Sequence, residues 1–199
     1  MQLPDFFALA PHITLRDPLA AFLGAARGGI LDYSYADAVK LAGHSCPTVA
    51  SAFLSTRTAL AALYPGGLPV RGGISVALRG ERLDGVNGVI ANVVSLLTGV
   101  TEDAGFKGIA GRFDRRQLLA FGTDIPGQIR FTRLDDAGFV DVSARLERVP
   151  ANPRLGLLMP RCLSGTATDD EASEFQSLWQ DRVRALLQHA DDPTVFVLH

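Results

Sequence analysis

An α+β fold, with N-terminal helices packed on a mostly antiparallel sheet, is predicted by three observations. Helix-like and strand-like segments come in blocks instead of alternating regularly. The helix-like segments of the first half carry clear start and stop residues. The stretch 127–147 reads as two strands around a turn. The chain has 199 residues, which fits a single domain spanning 1–199. With 47% apolar and 20% charged residues it can build a sizeable core, and disorder is not expected.

In chain order, residues 17–28 are predicted as a helix, with Asp17 as cap, Pro18 at the first helical position and glycine at the end. Residues 34–42 form a second, capped by Ser34 and closed by Gly43. Residues 47–64 give the strongest helix signal: Val49, Phe53, Leu60 and Tyr64 share one face, and Pro65-Gly66-Gly67 stops it. "GGISVALRG" (72–80) then reads as a strand, and "DGVNGVIANVVSLLTG" (84–99) as a buried helix capped by Asp84. Further strands are expected near 107–112, 117–123, 127–134 and 138–147, the last two turning at "DDAG". Thr168 and Glu171 form a capping box for a helix over 169–190, and "TVFVLH" supplies an edge strand.

Composition narrows the function classes. The balance of 19 basic and 21 acidic residues leaves a net charge of −2, and no basic stripe with interleaved aromatics is present, so nucleic acid is not an expected partner. The longest apolar run, near "GVIANVVSLL", is too short to span a bilayer, which argues against a membrane role. The opening residues show no basic n-region or small-residue cleavage site. Two cysteines do not make a disulfide framework, and a reduced, cytoplasmic setting is expected.

The stretch "LAGHSCPT" (41–48) gathers chemistry in one corner. Gly43 ends one helix and Pro47 begins the next, so His44, Ser45 and Cys46 form the turn between them. Cys46 falls at the helix cap, where backbone N–H groups and the positive end of the helix dipole suit an anionic sulfur. Imidazole and thiolate two positions apart are a donor pair that zinc accepts. The plain alternative is a structural turn, with Cys46 behaving as a small apolar residue. "GFKGIAG" (105–111) fits neither a dinucleotide fingerprint nor a P-loop, and reads as a turn. "RFDRR" (112–116) reads as a solvated charge cluster.

The segment "SYADAVKLAGHSCPTVASAFLSTRTAL" resembles the defining block of the FmdE-like family, named after a component of formylmethanofuran dehydrogenase. That block is a helix running into a His-Gly-His-x-Cys-Pro-Gly corner and a second helix with an arginine. Gly43, His44, Cys46 and Pro47 match, with Arg57 near the expected arginine. "NVVSLLTGVTEDAGFKGIAGRF" resembles the family's second block through Thr98, Gly99, Thr101, Lys107 and Gly108. The likeness covers about 34–123, leaving the C-terminal hairpin and helix, 127–199, as an extension. Departures mark a divergent member: Ala42 replaces the family's first histidine, Thr48 a glycine, Val89 and Val100 cysteines, and Asn92 an aspartate.

The resemblance implies a metal-binding corner and a homodimer. One transition-metal ion per chain is expected, zinc first, with nickel, iron or copper also compatible. His44 and Cys46 are the expected ligands and Cys162 the first candidate for a third; the other reading of Cys162 is a buried residue closing a strand. Asp84 and His12 follow as candidates, and water or a partner chain is a further source. Alternatives remain: a small-molecule enzyme using the metal or the Cys46 thiolate, with a ligand at the metal cleft, or an apo structural or partner-binding protein that has lost part of the site. No catalytic residue is assigned.

Overall fold

The computed structural model describes residues 3–199; Met1 and Gln2, the first residues of the opening stretch read above for a leader, lie outside it. Asp17 starts the first helix as expected, its carboxylate accepting from the N–H groups of Leu19 (2.8 Å) and Ala20 (3.2 Å). That helix, α1 (Pro18–Phe22), is far shorter than predicted. The chain leaves it through Gly24 at φ +70°, and the segment is flanked by two strands for which the sequence shows no signal. These strands, β1 (Ile13–Arg16) and β2 (Ile30–Tyr33), pair antiparallel as a small separate sheet.

Two helices follow where the sequence places them. A capping box of Ser34 and Asp37 opens α2 (Tyr35–Ala42), and Gly43 closes it in the left-handed conformation at φ +75°. The next helix, α3 (Pro47–Leu63), is buried almost all round: Val49, Phe53 and Leu60 are in the core, while Tyr64 sits half-buried just beyond its end. Two of its buried hydroxyls are satisfied locally, Ser51 donating to Thr48 O (3.0 Å) and Thr56 to Ala52 O (2.8 Å). Such a helix must be covered on every side.

The sheet supplies one cover. Its strands are β3 (Ile74–Leu78), β4 (Leu119–Ala120), β5 (Ile129–Arg133), β6 (Phe139–Ala144) and β7 (Phe196–Leu198), in the order β4-β3-β5-β6-β7. Only β3–β4 is parallel; the others are antiparallel, and β7 is an edge strand as expected. Helix α4 (Asn87–Thr98) packs beside α3, and α2 and the C-terminal α6 (Asp169–Gln188) cover α3 elsewhere. The architecture is α+β.

Three further expectations are corrected. Asp84 does not cap α4, which begins three residues later at Asn87 with Val86 in the cap position and no side-chain cap bond. The strand expected at 107–112 is a tight loop closed by paired bonds between Ile109 and Arg112, with Ala110 at φ +48° and Gly108 and Gly111 also at positive φ. Cys162 closes no strand: it lies in α5 (Arg154–Leu163), a helix whose signal is weakened in sequence by Gly156 and Pro160.

Candidate functional site

The corner between α2 and α3 is built from both sides. The left-handed Gly43 turns the chain back on α2, its N–H bonding Val39 O at 2.9 Å. His44 follows, solvent-exposed, with Nδ1 2.9 Å from the carbonyl of Ala42. A carbonyl only accepts, so Nδ1 carries a proton, and in the neutral ring Nε2 keeps its lone pair. Cys46 occupies the N-cap of α3, buried, its Sγ accepting from the N–H of Val49 at 3.5 Å. The sulfur sits where the sequence places it.

Ser45, between the two, is clamped by a helix distant in sequence. Its hydroxyl donates to Gln180 Oε1 (3.0 Å), and its carbonyl accepts from Trp179 Nε1 (3.0 Å) and Gln180 Nε2 (3.3 Å), both on α6. The hydroxyl's one proton is thereby used, so Tyr35 O–H must donate to Ser45 Oγ at 3.0 Å. Tyr35 is fully buried, and burial above all holds its phenol protonated well beyond the usual range, which keeps it a donor. Tyr35, Trp179 and Gln180 therefore set the corner's shape, although no motif or spacing singles them out. The lone tryptophan of the chain was the only available signal, and it carried no information about what it touched.

The other ligand candidates are not gathered here. Cys162 is half-buried on α5, which packs against α6. His12 faces Asp32, bonding it through Nδ1. Asp84 uses its backbone carbonyl to accept from Asn87 N–H (3.2 Å). Asn92 is exposed on α4, and Val100 is buried. Among the described residues no three His, Cys, Asp or Glu side chains form a group able to hold a metal ion, so Cys162 does not complete a set with His44 and Cys46. Among the described residues, one chain offers His44 and Cys46 at the corner. Arg57, on the same helix as Cys46, pairs instead with Asp191 at 2.7 Å.

Two cavities flank the corner. One, of about 360 Å³, touches Ser45 and is walled by Phe7, Phe175 and Trp179. The other, of about 300 Å³, opens between the first turns of α3 and α4 and the ends of the central strands, with Thr48 and Arg79 on its wall. No helix of the described residues is long and apolar enough to cross a membrane. No protein-family model matches the chain, and neither does any curated protein.

Proposed function

We propose that the protein is a divergent, cytoplasmic FmdE-like metal-binding protein whose ion is held by His44 and Cys46. The observation that carries this reading is the commitment of His44 Nδ1–H to Ala42 O, which leaves Nε2 as a free donor on the same short turn as the Cys46 thiol. A backbone acceptor fixing the tautomer of a ligating histidine is a recurrent feature of metal sites. Zinc suits this nitrogen–sulfur pair best, and a bound ion would act as a Lewis acid. Two donors do not hold an ion alone, so water or the second copy of a homodimer completes the shell. A second reading, a fold retained without the ion, is favoured by the same two-donor count among the described residues.

Elemental analysis of protein purified without a metal-affinity tag separates the two readings. About one transition-metal ion per chain is expected, lost in the His44→Ala/Cys46→Ala double variant. Metal-free wild-type protein that takes up no zinc, or a double variant that keeps full occupancy, overturns the assignment.

A further inference from the structure

We propose that the cleft between α3, α4 and the sheet binds a small monocarboxylate with an apolar body. The cavity, about 300 Å³, is at the small end of ligand-binding pockets. Its floor is hydrocarbon: Leu78 and Ile129 from adjacent strands, Ile90 from α4 and Leu146 beyond β6. Such a floor offers nothing to a sugar or an inorganic anion, and rewards an aliphatic or aromatic body.

The polar atoms at the rim narrow the class further. Gln128 has both ends of its amide committed, Nε2 to Ala144 O (3.4 Å) and Oε1 to Ala144 N–H (3.0 Å). Asn87 spends Nδ2 on Glu81 O (2.8 Å), and Ser51 donates to Thr48 O (3.0 Å). Arg79 is different. Among the described residues its side chain makes one hydrogen bond, from Nη1 to Pro126 O at 3.3 Å, and no carboxylate pairs with it. It is also the only charged side chain on the cavity wall among those residues. A guanidinium with most of its N–H groups unspent, on a residue that lines an otherwise uncharged cleft and with no carboxylate paired to it among the described residues, matches one carboxylate in a two-pronged bond. Thr48 is on the same wall, and its hydroxyl, which makes no hydrogen bond among the described residues, can add a third donor. None of these residues is His44 or Cys46, so the inference stands apart from the metal reading.

Calorimetric titration of the full chain with sodium hexanoate tests it, with 1-hexanol and hexylammonium as probes of the same body and different heads. Hexanoate is expected to bind about ten-fold or more tighter than either control. Arg79→Gln should remove that preference; the side chain is at the surface, so the variant should fold. Ile90→Trp should fill the floor and abolish binding, with circular dichroism reporting folding. If Ile90→Trp does not fold, the Arg79→Gln comparison decides alone. The His44→Ala/Cys46→Ala variant should bind hexanoate as the wild type does, whatever becomes of its metal. Absence of hexanoate binding at millimolar concentration, equal affinity for 1-hexanol, or an Arg79→Gln variant that keeps the preference overturns the proposal.

Discussion

Asp17 holds together parts of the chain that the sequence keeps far apart. Buried to 3% exposure, it caps α1 and accepts from Arg71 Nη1 (3.0 Å) and Arg115 Nη2 (2.9 Å). Arg71 also donates from Nε and Nη2 to Leu96 O (3.3 and 3.0 Å), so it serves the C-terminal end of α4 as well. Burial alone would push the Asp17 carboxyl up; Arg71, Arg115 and the N–H groups of Ala20 and Leu19 outweigh it and hold it below the usual range. For Arg115 burial dominates and lowers the guanidinium, with Asp17 opposing. Removing the acid would strand a buried cation whose Nη1 already lacks a partner among the described residues. Asp17→Asn is therefore expected to cost about 3 kcal/mol in urea unfolding near neutral pH. A carboxyl with a lowered folded value stabilises the fold above the ordinary carboxylate range, and that contribution is lost as pH falls through the folded value. The Asn variant should accordingly lose less stability on acidification than the wild type. An unchanged neutral-pH stability, or identical acid dependence, would contradict this account.

The elements that were legible in sequence are those whose signals are local. Pro47 after Cys46, the Ser34 cap and the Thr168–Glu171 box each fix a helix start through neighbours within a few residues, and each is found in place. The β5–β6 hairpin was equally readable, since its turn residues lie between its strands. What failed was set by tertiary context. The loop after α4 carries apolar residues at strand-like spacing, yet Ala110, Phe113 and Gln117 all take positive φ, a choice no propensity favours. The candidate site divides the same way: Cys46 at its cap was predictable, but the Trp179 and Gln180 bonds to Ser45 span 134 and 135 residues. That clamp has a measurable consequence. Trp179→Phe keeps an aromatic ring and deletes the bond to Ser45 O, and should cost about 1 kcal/mol in urea unfolding. It should also speed alkylation of Cys46 relative to Cys162, since α6 then holds the turn through Gln180 alone. An unchanged Cys46 to Cys162 rate ratio would show that α6 merely packs there.

At the scale of the whole molecule, block order was enough for the α+β class, whereas strand order and the parallel β3–β4 pair depend on long-range pairing that composition does not encode. The finished fold leaves apolar surface uncovered. Phe22 is 57% exposed and Leu23 60%, and Phe22 stacks on Phe113 with ring centroids 5.5 Å apart. Phe106 and Ile109, at 41% and 39%, stand on the loop that carries Phe113. Aromatic side chains gathered at one surface mark a contact site more often than isolated exposed residues do. A two-fold axis through such a patch sets it against its own copy, the arrangement most homodimers use. The proposed homodimer is therefore expected to associate here, and light scattering at micromolar concentration should report twice the 21.2 kDa chain mass. Phe22 is outside the buried core, so Phe22→Ser should leave the circular dichroism of the folded chain unchanged while converting the particle to a monomer. A wild-type protein that scatters as a single chain removes the dimer. A dimer that survives Phe22→Ser moves the interface elsewhere on the surface.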